Sequence, residues 1–321
     1  MFAFGTFAGA DGTAHPGLVV ADRVFDLRPE FADTLTMFRD WQASLDRLQT
    51  LAASHSGEGV ALADLRPLPP VHPSGQVLCA GANYTEHLQQ MVVAHLRREG
   101  DTRPEAELHA EAVEVAARRR REEDPFFFVG LPSALAGGND DVVLWGPGVE
   151  HDWELELAVV IGRGGRAIPE NQAMDHVAGY TIVNDISTRD VMFRPGFPMT
   201  DFAMTKLRPT FKPAGPYIVP AALVPDYRDL RITLSVNGEL MQDEGIDDII
   251  YGVDELISYA SRVVDLWPGD LLLTGSPAGN AAHHGGRWLR PGDVMTGAIT
   301  GLGTQHNICV APSGESTHTA M

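Results

Sequence analysis

Apolar residues fall in short runs separated by turn residues along most of the chain, a pattern that favours strands over long helices. Residues 19–27 predict a β-hairpin, and the helical spacing of apolar side chains over residues 34–53 predicts a helix. Four prolines follow between positions 67 and 73, where they discourage both a helix and a central strand. We therefore predict a small N-terminal domain at residues 1–66 and a main domain at residues 67–321.

The main domain combines apolar strand patterns with a few helical ones. Residues 76–80 predict a strand that turns into a short helix carrying His87. Residues 104–123 predict a charged helix with early glutamates and late arginines, which is either a solvated surface helix or a mobile lid. Six further strands are predicted at residues 153–162, 178–185, 217–219, 230–236, 270–274 and 293–299, and one further helix at residues 253–264.

Two local motifs bear on the fold class. Asn237-Gly238 lies between two apolar runs, which is the strongest short-range signal for a hairpin. The glycine-rich segment 162–165 imitates a dinucleotide-binding loop, but the helix signal that gives such a motif its meaning does not follow it. Strands and helices do not alternate regularly, so we predict a β-rich α+β fold rather than a doubly wound one.

Composition narrows the classes of partner. The chain of 321 residues has 24 Lys and Arg against 43 Asp and Glu, a formal charge of −19 that argues against binding nucleic acid. No apolar run approaches the ~20 residues that span a bilayer, and the first residues show no secretion signal, so we expect a cytoplasmic protein without membrane partners. Lys206 and Lys212 are the only lysines beside 22 arginines, so a position that remains lysine invites a chemical reason.

The segment 153–160 carries two glutamates at alternating positions. In a strand, Glu154 and Glu156 point to one side, while Leu155 and Leu157 point to the other. A strand with one solvent-exposed face would explain the pair without any special function. A bound divalent cation is the alternative explanation, because Mg²⁺, Ca²⁺ and Mn²⁺ prefer hard oxygen ligands that would otherwise repel one another.

A third carboxylate follows the next apolar strand, at Asp185. It would either cap a helix that starts near Ile186 or complete a three-carboxylate metal site. A second candidate cluster, His283-His284, lies in a glycine-rich stretch. Adjacent histidines point in different directions and make a poor metal pair, so we expect a flexible loop tip there.

Five segments occur in an order that resembles one known family. They are Gly81-Ala82-Asn83-Tyr84-Thr85-Glu86-His87, Asp152-Trp153-Glu154-Leu155-Glu156-Leu157, Gly179-Tyr180-Thr181-Ile182-Val183-Asn184-Asp185, Val236-Asn237-Gly238-Glu239 and Gly269-Asp270-Leu271-Leu272-Leu273-Thr274-Gly275-Ser276-Pro277. Over about residues 76–310 they resemble the fumarylacetoacetate hydrolase family, which includes acylpyruvate hydrolases and oxaloacetate decarboxylases. The resemblance implies a mixed β-sandwich roll like that family's C-terminal domain, a small N-terminal domain and a homodimer.

The resemblance also implies a Mg²⁺ or Mn²⁺ site that acts on a small 2-oxo acid or dicarbonyl substrate. The corresponding positions are Glu154, Glu156 and Asp185 for the metal, His87 and Lys206 for catalysis, and Arg189, Thr274 and Tyr84 for the substrate. Breaking the substrate's C–C bond leaves an enolate, whose charge Lys206 and Arg189 would stabilise. His87 would activate water or transfer a proton.

The chain departs from the family pattern at several positions. Gln90 stands where hydrolases often carry a water-activating glutamate, Gly130 where relatives commonly carry lysine, and Met192 where glutamine is frequent. Three hypotheses therefore remain open. The first is metal-dependent hydrolysis of a C–C bond in an acylpyruvate or related β-dicarbonyl. The second is decarboxylation, hydration or tautomerisation of a 2-oxo acid, and the third is a non-catalytic binding protein.

Overall fold

The computed structural model describes residues 1–54, 58–196 and 199–313. The chain begins with β1 (Phe2–Ala8), β2 (Ala14–Val20), β3 (Arg23–Asp26), α1 (Thr34–Met37), α2 (Trp41–Ser54), β4 (Val60–Ala61) and β5 (Arg66–Pro67). The strands form a five-stranded sheet in the order β4-β3-β2-β1-β5, with the two helices packed beside it. The predicted hairpin is confirmed by β2 and β3, where Val19 pairs with Val24, and the predicted helix by α1 and α2.

The N-terminal sheet shares a hydrophobic core with the rest of the chain. Phe4 is fully buried in the same cluster as Val160, and its backbone bridges Ile218. The division into residues 1–66 and 67–321 therefore stays a prediction. Within those ranges, residues 55–57, 197–198 and 314–321 lie outside the described part of the chain.

The remaining part of the chain contains the predicted strands and helices together with shorter elements that were not predicted. In chain order they are β6 (Val77–Gly81), α3 (Thr85–Arg98), α4 (Glu105–Glu122), β7 (Phe126–Gly130), β8 (Leu135–Gly137), β9 (Val142–Val143), β10 (His151–Asp152), β11 (Leu155–Ile161), α5 (Glu170–Ala173), β12 (Val177–Asn184), β13 (Ser187–Thr188), α6 (Phe202–Lys206), β14 (Lys212–Ala214), β15 (Val219–Pro220), β16 (Arg231–Val236), β17 (Glu239–Gly245), α7 (Val253–Val263), β18 (Leu271–Leu273), β19 (Val294–Ile299) and β20 (Gly303–Val310). The strands and helices predicted outright for this part have counterparts here, although the strand predicted at residues 217–219 overlaps β15 only at Val219.

Two sheets form the main body. The larger has eight strands, ordered β7-β6-β18-β11-β12-β14-β8 with β15 paired to β12, and the smaller is ordered β17-β16-β19-β20-β9. The sheets pack face to face through apolar residues such as Leu155 of β11, Leu234 of β16 and Met295 of β19. Strand β11 lies antiparallel to both of its neighbours, β12 and β18. This is the β-rich α+β architecture that the sequence predicts, and it lacks the βα crossover that a dinucleotide loop at β11 would need.

Strand β11 is buried on both faces. Leu155 and Leu157 belong to the core between the two sheets, whereas Ala158 and Val160 belong to the core beneath the N-terminal sheet. Glu156 shares the face of Ala158 and Val160. The expected alternation is therefore confirmed within β11, which Glu154 immediately precedes, and the alternative of a solvent-exposed glutamate face is wrong because both glutamates are buried.

Two further sequence predictions have clear outcomes. Asn237 and Gly238 have φ of 53° and 83°, the turn geometry of a two-residue hairpin, and they join β16 to β17. Helix α4 packs its buried edge onto α3, and the Tyr251 hydroxyl donates to the carbonyls of Arg119 and Glu123 at its end, at 2.7 and 2.6 Å. These contacts favour a packed surface helix over a mobile lid.

No described helix combines the length and apolar composition that a bilayer crossing requires.

Candidate metal centre and active site

Three carboxylates meet at the end of the β11–β12 pair. One ligand oxygen from each of Glu154, Glu156 and Asp185 lies within 4.8 Å of the others, and the three residues are only 7%, 2% and 0% exposed. The Asp185 N–H donates to the Glu154 carbonyl at 2.8 Å, so the strand ends are joined where the carboxylates meet. Among the described residues, this is the one group of three or more His, Cys, Asp or Glu side chains with such geometry.

Neighbouring polar groups fix the backbone that carries these carboxylates. The N–H of Glu154 donates to Asn184 Oδ1 at 2.9 Å, and the N–H of Leu155 donates to Gln242 Oε1 at 3.1 Å. Glu156 Oε2 accepts the N–H of Gly275 at 2.8 Å. Gly275 has φ +97°, a conformation that strains other residues, so its glycine identity supports this contact.

Lys206 lies directly between two of the carboxylates. Its Nζ donates to Glu154 Oε2 and to Asp185 Oδ2, the latter at 2.7 Å, and the residue is 4% exposed. Burial lowers the pKa of Lys206, but the charges of Asp185 and Glu154 outweigh that effect and hold the pKa above its usual value. The side chain therefore stays charged at neutral pH.

Lys212 is a site residue that the sequence analysis did not assign. It is fully buried, and its Nζ donates to Asp185 Oδ1. The signal was available, because Lys212 is the second of only two lysines in an arginine-rich chain. What the sequence did not reveal is that β14 delivers this side chain to the same carboxylate that Lys206 contacts.

Arg189 contacts the cluster and also Asp152, a second residue that the sequence analysis did not assign. The Nε of Arg189 donates to Asp152 Oδ2 at 2.8 Å, and the Nη2 of Arg189 donates to Glu154 Oε1 at 2.5 Å. Of the two alternatives for Asp185, the cap of a helix near Ile186 is wrong, because the chain continues as β13 before one 3₁₀ turn at residues 189–191. Helix capping is therefore not the role of Asp185, whose side-chain oxygens accept from lysines.

The carboxylates differ in how well their charges are compensated. Burial raises the pKa of Glu154, but Lys206 and Arg189 outweigh it, so that pKa lies below its usual value. For Glu156, burial and the like charges of Asp185 and Glu154 all act in one direction and raise the pKa well above its usual value. A further cation at the cluster would relieve this repulsion.

The residues fit a bound divalent metal. Three buried carboxylates supply the hard oxygen ligands that Mg²⁺ and Mn²⁺ prefer. The positive charge of the Lys206 ammonium lies between Glu154 and Asp185, where it compensates their negative charges. The negative charge of Glu156 is compensated less, as its raised pKa shows.

His87 faces the cluster from α3. It is 7% exposed, and its buried Nδ1 has no hydrogen-bond partner among the described residues. Burial lowers its pKa to about 4, with Glu154 opposing the shift, so the imidazole is neutral at pH 7. One helical turn later, Gln90 Oε1 accepts the N–H of Gly279 at 3.2 Å, which fixes the turn that follows β18.

The other two predicted substrate residues, Thr274 and Tyr84, are buried near Glu156. The Thr274 hydroxyl donates to the Leu157 carbonyl at 3.0 Å and is fully buried. Tyr84 is fully buried near Thr274, although its hydroxyl makes no hydrogen bond of good geometry with the described residues. Substrate contact by Thr274, Tyr84 and Arg189 stays a prediction.

His283 and His284 lie outside the metal-capable cluster, as expected. They belong to a 3₁₀ turn at Ala281–His284 rather than to an open loop tip. The His284 Nε2 lies 3.0 Å from the Met241 carbonyl, and His283 remains exposed.

Fold and site together define a β-rich protein with a candidate divalent-metal centre at the end of a buried sheet. A family model described as the fumarylacetoacetate (FAA) hydrolase C-terminal domain matches residues 76–310. The chain therefore belongs to the fumarylacetoacetate hydrolase family, and the resemblance seen in its sequence is confirmed.

Similar proteins include more than one kind of enzyme. The chain is 33% identical over 307 residues to the 2,4-didehydro-3-deoxy-L-rhamnonate hydrolase of Sphingomonas sp. (strain SKA58), covering 92% of each. It is 35% identical over 212 residues to a mitochondrial oxaloacetate tautomerase of Bos taurus, covering 66% of this chain and 59% of that one. It also resembles the structure of fumarylpyruvate hydrolase from Pseudomonas aeruginosa in complex with Mn²⁺ and pyruvate, with a TM-score of 0.59, 31% identity and coverage of 74% and 91%.

Proposed function

We propose that this protein is a divalent-metal-dependent hydrolase that cleaves a C–C bond in an acylpyruvate or a related β-dicarbonyl 2-oxo acid. The observation that carries the proposal is the buried cluster of Glu154, Glu156 and Asp185, with Lys206 and Arg189 bonded to it. Such a cluster suits a substrate that bears adjacent oxygens and develops negative charge as it reacts. The related hydrolases support the same reaction class.

Mg²⁺ or Mn²⁺ held by the three carboxylates would supply Lewis acidity toward a carbonyl oxygen of the substrate. Lys206 keeps its charge in the buried site, so its ammonium is ready to stabilise the negative charge of the departing oxo acid. Arg189 uses two of its five N–H groups on Asp152 and Glu154 and would offer the others to the substrate carboxylate.

His87 would take the proton of the attacking water. A neutral imidazole accepts a proton, and the low pKa of His87 keeps it neutral throughout the physiological range. The family's glutamate partner is replaced by Gln90, whose side chain is bonded to Gly279. Glu154 is the carboxylate that raises the pKa of His87, so it would take part of the glutamate's electrostatic role.

A second candidate function is tautomerisation or decarboxylation of a 2-oxo acid such as oxaloacetate. Gln90 favours it, because an amide cannot act as a base and these reactions need no activated water. The same three carboxylates, Lys206 and Arg189 would serve either reaction. The oxaloacetate tautomerase relative supports this candidate.

Product analysis separates the candidates. The protein loaded with Mn²⁺ is incubated with acetylpyruvate, fumarylpyruvate and oxaloacetate, and the products are followed by enol absorbance and by NMR. The hydrolase proposal expects loss of the enol signal together with release of pyruvate and the free acid. Enol–keto conversion without cleavage would favour tautomerisation, and CO₂ release would favour decarboxylation. If metal-loaded protein changes none of these substrates, the hydrolase proposal fails.

Homodimer formation and a cytoplasmic location also remain predictions, and sedimentation analysis would test the first.

A further inference from the structure

Lys212 occupies a rigid position behind the carboxylate cluster. It opens β14, which pairs in parallel with β8 at Leu135 and in antiparallel with β12 through Ala214 and Val183. The side chain is fully buried, which is rare for a lysine unless its charge is paired. Asp185 is the carboxylate with which it forms an ion pair among the described residues.

The two lysines contact Asp185 in different ways. Lys212 binds Oδ1, whereas Lys206 binds Oδ2 and also reaches Glu154. Lys206 therefore bridges two carboxylates on the side where they converge. Lys212 holds the opposite oxygen of one carboxylate, so its contact does not compete with a cation held at Oδ2.

The space for Lys212 depends on a glycine in another strand. A Cβ built on Gly130 would lie 3.0 Å from Lys212 Cε and 2.7 Å from Val77 Cγ1. A side chain at position 130 would thus enter the space that the end of Lys212 fills. The ring of Phe128 faces both ammonium groups, with its centroid 5.3 Å from Lys206 Nζ and 5.8 Å from Lys212 Nζ.

We infer that Lys212 is a positioning residue of the candidate metal centre, which fixes the Asp185 carboxylate by holding its Oδ1 and leaves Oδ2 to the groups shared with Glu154. The inference rests on the proposed function and extends it to a residue that the sequence analysis did not assign. Gly130 of β7 leaves the space open, and Lys212 of β14 supplies the ammonium group that lies beside it.

Lys212 also sets the charge that meets the substrate. Three carboxylates and two ammonium groups have a formal charge of −1, while Arg189 and Asp152 offset each other. A divalent cation brings this sum to +1, which the carboxylate of a 2-oxo acid neutralises. Without Lys212 the sum is zero, so the substrate would bind more weakly.

The first test measures Mn²⁺ affinity of Lys212→Met by isothermal titration calorimetry and by electron paramagnetic resonance, without substrate. Loss of a group that orients a metal ligand should weaken Mn²⁺ binding about 10-fold. If Lys212 acted only as a repelling positive charge, its removal would tighten Mn²⁺ binding, and that result would overturn the inference. Arg66→Met removes an exposed cation whose ion-pair partner is Asp140, outside the cluster, and serves as the matched control, with unchanged affinity expected.

Because replacing a buried lysine can prevent folding, a second series moves the ammonium group instead. In a Val77→Ala/Lys212→Ala background, Gly130→Lys is compared with Gly130→Met, which fills the same space without charge. Gly130→Lys should restore most of the lost Mn²⁺ affinity and lower the KM for an acylpyruvate, whereas Gly130→Met should not. Equal recovery by both variants, or by neither, would overturn the inference. Failure of the proposed function would appear separately, as absence of turnover in the unmodified protein that binds Mn²⁺.

Discussion

Glu156→Gln should stabilise the metal-free protein while it removes the response to metal. Glu156 is 2% exposed and faces the like charges of Glu154 and Asp185, and among the described residues no lysine or arginine forms an ion pair with it. Glutamine has nearly the same shape, and its Oε1 can still accept the Gly275 N–H. The substitution therefore removes a buried, under-compensated charge and one metal ligand with little change in packing.

The magnitude follows from the burial of this charge. Removing a buried charge that is not fully compensated should raise the free energy of unfolding by about 2 kcal/mol. An unfolding entropy of about 0.7 kcal/mol per kelvin for 321 residues converts that into a Tm increase of about 3 °C. A cation at about 100 times its Kd adds roughly 2.7 kcal/mol to the unmodified protein, or about 4 °C.

The sign of the pH dependence provides an independent check. The pKa of Glu156 is raised in the folded, metal-free protein, so its contribution to stability is present below its unfolded pKa of about 4.5 and is lost as pH rises. The variant carries no such group. The Tm advantage of Glu156→Gln in EDTA should therefore be larger at pH 8 than at pH 5.5.

Differential scanning calorimetry in EDTA and in excess MgCl₂ or MnCl₂ measures both effects. Glu114→Gln, on the exposed side of α4, is the matched control and should leave Tm and the metal response unchanged. The reasoning is refuted if Glu156→Gln melts at a lower temperature than the unmodified protein in EDTA. It is equally refuted if the variant keeps the full stabilisation by metal.

Four further substitutions test other parts of the site and the fold. Lys206→Met should lower kcat about 100-fold or more, because a charge-stabilising group is lost, and steady-state kinetics with folded, metal-loaded protein would show it. Because the pKa of His87 is about 4, kcat/KM should be constant above about pH 5 and should fall as the pH approaches 4. A decrease in kcat/KM near pH 6.5 that is absent in His87→Gln would contradict this. Gln90→Glu should raise hydrolysis of acylpyruvates about 10-fold if the missing acid limits the native enzyme, and unchanged rates would show that it does not. Asp270→Ala removes the acceptor of the Gln76 N–H and should lower the unfolding free energy by about 2 kcal/mol, as measured by urea titration.

Short-range patterns carried most of the fold prediction. The hairpin at Asn237-Gly238 requires positive φ at both residues, which few other dipeptides accept, so two positions were enough to predict it. Helix α4 has its charges arranged along the helix dipole, and its predicted bounds differ from the observed ones by one residue at each end. In both cases the determining interactions lie within one element.

The failures concern residues whose role depends on distant partners. The sequence left a helix after Asp185 as one of two alternatives, but β13 follows Asp185 and pairs with β10, which lies more than thirty positions earlier. Lys212 carried the same compositional signal as Lys206 and was not assigned, because nothing near it in sequence indicates a carboxylate. Asp152 was quoted within a motif, yet its bond to Arg189 joins two segments 37 residues apart.

The sequence by itself determined that Glu154 and Glu156 share one side of a strand, because side chains alternate with a period of two wherever the backbone is extended. Only the tertiary structure decided that this side is buried and that Asp185 completes the group. Lys206 and Lys212 reach the carboxylates across 21 to 52 positions of sequence. Contacts over such separations depend on how β11, β12 and β14 pair and on the covering core, and no local pattern of residues encodes that arrangement.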